Sequence, residues 1–182
     1  VTAVRNVIIM GGAVRADGNT TSLAEFNFFV DPHAAHIVMT SGMPITLVPW
    51  DITVEVMLFQ HHIERLLRID SPVSQFIAAA TQFYMEFHQA SFAVSGCAIN
   101  DPGGLALAFM PELATTQAVR IDVEHTSELT MGKSVISYVG DTTNPPRDTD
   151  ITGFDSTRWP PTWRSMHRPA ANAQLVTAFD TP

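Results

Sequence analysis

The sequence predicts an α/β domain, Rossmann-like in layout, with a mostly parallel sheet flanked by helices. Three observations carry that prediction. Val7 to Met10 is a continuous apolar run closed by Gly11 and Gly12, the pattern of a strand buried on both faces. Ile45 to Val48 and Val119 to Val123 repeat the pattern. Stretches with helical spacing lie between these runs, so crossovers join the strands, and such βαβ connections are right-handed.

The elements follow in order. After the first strand, Ala24 to Val30 and Ala34 to Met39 read as two short helices parted at Asp31-Pro32. Ser22 and Glu25 form a capping box ahead of the first, with Glu25 reaching back to the helix start. The second strand, Ile45 to Val48, runs into Pro49-Trp50-Asp51-Ile52-Thr53. Val54 to Leu67 has apolar residues at mixed spacing and reads as helix. The strongest helical signal comes next: Ser71 can cap it and Pro72 suits its first turn. Val73, Phe76, Ile77, Ala80, Phe83, Tyr84 and Phe87 recur at three- and four-residue steps, a stripe expected to face the core. Tyr84 and His88 lie one turn apart at its edge, and Phe92 follows if the helix extends so far.

The C-terminal part differs. Residues 140–171 read as a long loop holding five prolines, Trp159 and Trp163, without a period. Gln174 to Phe179 is expected to be a last strand. The 182 residues, 46% of them hydrophobic and free of repeats, suit one domain over 1–182.

Composition removes several function classes. A net charge of −8 argues against a nucleic-acid footprint, which needs a basic face. One cysteine, Cys97, allows no internal disulfide and no cysteine-rich zinc site. No apolar run has the length of a membrane span, and the start lacks the basic-then-apolar pattern of a signal peptide. A cytoplasmic protein is expected. The chain opens at Val1, almost directly on a strand, and reads as a piece of something longer.

The residues with chemical potential each have a local reading as well. Gly11-Gly12 is an ordinary strand-to-loop turn, or it lets the backbone approach a ligand beyond the strand's carboxyl end. No G-x-G-x-x-G follows, so a dinucleotide site is the weaker option. Asn19, Glu25 and Asn27 surround one helix start, where a carboxylate and two amides can cap the helix or bind sugar hydroxyls. Asp101-Pro102 starts a helix, with Asp101 as cap and Pro102 at the first position. His88 is a surface or boundary histidine, or a recognition residue. Asp51 and Thr53 read as structural, and His61-His62 as a solvated helix face.

Two strings carry more than local physics. Met10-Gly11-Gly12, followed by Gly18-Asn19-Thr20-Thr21 and Ala24-Glu25-Phe26-Asn27, and then Asn100-Asp101-Pro102 about eighty residues on, resemble the sugar-site motifs of the inosine-uridine preferring nucleoside hydrolases. Glu128-Leu129-Thr130 with Gly132-Lys133 matches a further string of that family, to which no chemistry is attached. The resemblance implies an incomplete nucleoside hydrolase fold and a calcium-dependent enzyme that cuts ribonucleosides into free base and ribose. It implies that Asn19, Glu25 and Asn27 bind ribose, that Met10 and Phe26 line the pocket, and that Asp101 is a calcium ligand. His88 and Phe92, thirteen and nine residues before Asp101, match base-contacting positions. Asn100 stands where the family commonly has a histidine, and an amide cannot act as a general acid near neutral pH. His88 is then a possible substitute acid.

The family's aspartate-rich motif, D-x-D-x-x-x-D-D, occurs nowhere in the 182 residues. The resemblance therefore implies the C-terminal part of a longer enzyme, a homo-oligomer (dimer or tetramer) when full length, with this piece alone inactive. A non-catalytic nucleoside- or ribose-binding relative of the same fold is the alternative. An unrelated α/β domain must explain Met10-Gly11-Gly12, Gly18-Asn19-Thr20-Thr21 and Asn100-Asp101-Pro102 in the right order and spacing.

Overall fold

The computed structural model describes residues 3–138 and 170–180. A five-stranded sheet runs in the order β1-β2-β7-β5-β6, built from β1 (Val7–Met10), β2 (Ile45–Val48), β5 (Ala114–Val123), β6 (Ser134–Tyr138) and β7 (Ala173–Phe179). β1, β2 and β7 are parallel, whereas β5 is antiparallel to both β6 and β7. The sheet is thus mixed, and the last strand is inserted at its middle rather than added to an edge.

β1 and β2 are joined by α1 (Phe26–Val30) and α2 (Pro32–Met39), split at Asp31-Pro32 as the sequence requires. Asp31 accepts from the Ala34 amide and so caps α2. On this face Phe28 and Met39 meet Ile45, Leu47, Val119, Ile121, Val123, Ala173 and Leu175 in the main core. A smaller core of Val48, Leu107 and Val176 lies under α6 (Asp101–Phe109). Asn172 ties the layers together: its amide donates to the carbonyls of Met39 and Ile121 and accepts from the Ile121 amide.

Two expectations need correction. Val54 to Leu67 is not one helix. After α3 (Trp50–Thr53) comes β3 (Met57–Phe59), and only then α4 (Gln60–Leu67). β3 pairs antiparallel with β4 (Gly96–Ala98), a partner some forty residues away that periodicity does not reveal. The long helix α5 (Pro72–Phe92) exists, capped by Ser71 as predicted. Its apolar stripe, however, faces outward: Val73, Phe76, Phe83 and Phe87 are exposed. The packed side holds Ser74 and His88, the two buried residues of the helix, because α5 rests on α4 and β4 with its less apolar face. The loop expected at 140–171 falls almost wholly outside the described residues.

Candidate active site

The carboxyl ends of β1 and β2 gather the first group of residues. Glu25, not Ser22, is the N-cap of α1; its backbone is extended and its side chain folds back over the helix start. Oε1 accepts from the Asn27 amide at 2.9 Å, and Oε2 accepts from Gly12 at 2.8 Å and Phe28 at 3.4 Å. Glu25 is 2% exposed, and these three bonds leave about one of its lone-pair positions open. Ser22 is exposed, and Thr21 instead ties the preceding turn by accepting from Leu23 and Ala24. Asn19 reaches across to accept from the Phe26 amide at 2.8 Å, and Asn27 donates to the Met10 carbonyl at 3.2 Å. Asn19, Phe26 and Asn27 are exposed beside Met10, above the buried carboxylate.

The glycine pair is needed for close approach. Gly12 has φ +70°, and a Cβ on it would lie 2.3 Å from Ser134 Oγ; on Gly11 it would lie 2.8 Å from the Phe28 ring.

The second group forms around α5, β4 and α6. His88 is buried, 8% exposed, and its Nδ1 faces the Tyr84 carbonyl at 3.0 Å, which leaves Nε2 as the ring's free nitrogen. Its ring meets Tyr84 edge-on at 4.3 Å and Phe92 at 5.5 Å between centroids. Burial raises the Tyr84 phenol above its ordinary pKa, and the charges of Cys97 and Asp101 push the same way, while the Asn100 side chain partly offsets them. Tyr84 is the residue that the sequence reading left out of the site. Its position four residues before His88 was the available signal. Asn100, rather than Asp101, occupies the N-cap position of α6, with Asp101 and Pro102 following in the first turn. Asn100 caps nothing with its side chain, and its Oδ1 is buried without a partner.

The groups adjoin where the first turn of α6 crosses the strand ends. A Cβ on Gly104 would sit 3.9 Å from Met10 Cβ, and one on Gly103 3.4 Å from the Phe179 ring. No hydrogen bond joins the two groups among the described residues. A cavity of about 690 Å³ opens at the other end of the strands, lined by Arg5, Asn6, Pro44 and Arg120 among others, and none of the candidate site residues lines it.

The sequence profile described as inosine-uridine preferring nucleoside hydrolase matches residues 1–182. The chain belongs to the inosine-uridine preferring nucleoside hydrolase family. It is similar to the pyrimidine-specific ribonucleoside hydrolase RihA of Salmonella gallinarum, 36% identical over 156 residues, covering 85% of this chain and 50% of that one. The protein of the same name from an Enterobacter species is 37% identical over 153 residues, covering 84% and 49%. Among solved structures, the purine-preferring ribonucleoside hydrolase from Gardnerella vaginalis aligns with a TM-score of 0.74 at 26% identity, over 97% of this chain and 48% of that one. A plant nucleoside hydrolase aligns with a TM-score of 0.76 at 26% identity, over 96% and 49%. The chain spans about half the length of the relatives it matches.

Nucleoside hydrolases of this family are calcium-dependent, so the donor set is the relevant test. Calcium takes six to eight oxygens. Among the described residues no three His, Cys, Asp or Glu side chains are grouped to hold a metal. Asp101 is one carboxylate, exposed, and Glu25 is committed to backbone amides. These residues do not by themselves fit a calcium ion.

Proposed function

We propose that the full-length protein carrying this chain hydrolyses the N-glycosidic bond of ribonucleosides to free base and ribose. The observation that supports it most is the pairing of an amide-rich cluster, Asn19 and Asn27 over buried Glu25, with the first turn of α6 at the same strand ends. In this reading Asn19 and Asn27 hold the ribose hydroxyls, Met10 and Phe26 line the sugar pocket, and Phe92 packs on the base. As the C1′–N bond breaks, its electron pair leaves with the base and positive charge develops on the sugar. Glu25, buried below, favours that charge electrostatically. The water oxygen then bonds to C1′ and gives up a proton, and the base takes one.

Asn100 and His88 face the leaving base in this proposal. Asn100 can donate a hydrogen bond to it but no proton. The Tyr84 phenol, protonated at neutral pH as any tyrosine is and with its pKa raised further by burial, is a second donor. Asp101 is proposed as one calcium ligand, with the remaining donors supplied from outside the described residues. Residues 1–182 alone are accordingly proposed to bind calcium weakly and to hydrolyse nothing. The proposal extends to a cytoplasmic homo-oligomer, dimer or tetramer, which sedimentation of the full-length protein tests.

A second reading, a non-catalytic nucleoside- or ribose-binding relative, is favoured by one observation: among the described residues Asp101 is the single exposed carboxylate of the site. Ribose release from uridine, cytidine and inosine, measured on the full-length protein with and without a calcium chelator, separates the two. Chelator-sensitive release supports the enzyme. Binding of a nucleoside without release supports the second reading.

A further inference from the structure

We propose that Lys133 and Asp51 are positioning residues of the sugar site, which together hold the loop from Gly12 to Ala16 on which Glu25 is braced. The inference rests on the ribose-site reading above. Asp51, in the first turn of α3, accepts from three successive backbone amides: Val14 at 2.8 Å, Arg15 at 2.6 Å and Ala16 at 2.8 Å. Lys133, just before β6, donates from Nζ to the carbonyls of Ala13 at 3.1 Å and Val14 at 3.2 Å. The two residues act on the same peptide units. In the Ala13–Val14 and Val14–Arg15 peptides the carbonyl faces the ammonium and the amide faces the carboxylate, so each peptide dipole lies between opposite charges. Hydrogen bonds to charged groups are stronger than neutral ones, and bonds at the two ends of one peptide polarise each other.

The loop has no ladder of its own to fix it. It is anchored beside β1 by the Trp50 amide donating to the Gly12 carbonyl at 2.9 Å. The Gly12 amide is then the bond that Glu25 uses, at 2.8 Å. Movement of residues 13–16 therefore passes through Gly12 to the carboxylate and on to Asn27, whose amide shares it. Lys133 is half-buried, and the described hydrogen bonds of its ammonium both go to this loop. The first group of site residues is thus held from α3 on one side and from the turn before β6 on the other.

The test uses the full-length protein with Lys133→Met, Lys133→Arg and Asp51→Asn. Amide hydrogen exchange at Gly12 and Val14 to Ala16, ribose binding by calorimetry, and KM and kcat for uridine are measured for each. Lys133→Met should speed exchange at those amides, weaken ribose and raise KM by about tenfold, as expected when a support behind a site is lost. kcat should change less, and the melting temperature little. Lys133→Arg, which keeps the charge and the donors, should restore most of the affinity. Asp51→Asn should act in the same direction. Faster exchange with unchanged ribose affinity and KM would make the pair purely structural and overturn the proposal, as would unchanged exchange. A wild type that neither binds nor cleaves overturns the ribose-site reading itself, and this inference with it. A wild type that does, with unaffected variants, overturns the positioning role alone.

Discussion

Glu25 holds the Gly12 amide at 2.8 Å from a position 2% exposed, so one carboxylate joins the end of β1 to the start of α1. Removing it takes away a helix cap and leaves buried N–H groups unpaired. Glu25→Ala should cost about 2–3 kcal/mol of stability. Glu25→Gln keeps one acceptor and should cost about 1 kcal/mol, yet lower kcat/KM for a nucleoside by more than the stability loss explains. Urea unfolding and steady-state kinetics on the same preparations check both. A Glu25→Ala protein as stable as wild type would remove the cap role.

The same carboxylate shows what was legible in advance. The strings around Gly11-Gly12 and Glu25 located a helix start at a strand end, because close approach and capping require particular residue types. Which residue caps was not legible: Ser22 and Glu25 both suit the role, and only the backbone path, extended at Glu25, decides. β3 was hidden for another reason. Three residues, Met57–Phe59, are too short to show a period and are strand only because Gly96–Ala98 lies beside them. The α5 stripe misled because periodicity identifies an apolar face but not whether anything covers it. His88, at the edge of that stripe, is buried against Tyr84 by tertiary packing, which periodicity does not report.

Tyr84 and Asn100 give a prediction about chemistry. The Tyr84 phenol is neutral across the neutral range and burial raises its pKa further, so under the proposed function it can donate to a leaving base there. Tyr84→Phe should lower kcat on uridine about tenfold, the scale of one lost hydrogen bond, with little change in stability. Asn100→His puts a second imidazole beside the base in this proposal, in addition to His88, and should change the pH profile of inosine hydrolysis by adding rate at low pH that is lost as that imidazole gives up its proton. Equal pH profiles for the two proteins would show that residue 100 does not face the leaving group.

Gly12 and Ser134 give a test of the loop's backbone. Gly12 has φ +70°, and a Cβ there would lie 2.3 Å from Ser134 Oγ, a buried oxygen without a partner. Gly12→Ala should cost about 2–3 kcal/mol from left-handed strain and overlap together. Ser134→Ala alone removes an unsatisfied hydroxyl and should be close to neutral. In the double variant part of the overlap is relieved, leaving a coupling of about 1 kcal/mol by a double-mutant cycle. Strictly additive losses would mean that the clash is with Phe28 and not with Ser134.

Glu124 links acid stability to the turn that carries Lys133. Its Oε1 accepts from the Thr126 hydroxyl at 2.7 Å, the Thr126 amide at 2.8 Å and the Ser127 amide at 3.1 Å. These bonds, with the Thr126 hydroxyl foremost, hold its pKa down to about 2 from an ordinary 4.5. A depressed carboxylate contributes stability above its unfolded pKa and loses it as pH falls through the folded one. The contribution should therefore be complete above 4.5 and disappear on acidification to about 2. The backbone of the same turn is closed by Glu124 and Lys133, with the Glu124 amide donating to the Lys133 carbonyl at 3.0 Å. Protonating Glu124 should loosen this turn and release the Lys133 ammonium from Ala13 and Val14. Urea unfolding of wild type and Glu124→Gln across that pH window should show the slope in wild type only, reduced by high salt because the group is accessible to solvent. Amide exchange at Val14 to Ala16 should rise over the same window in wild type. Parallel stability profiles for the two proteins would show that the turn is held by its backbone bonds alone.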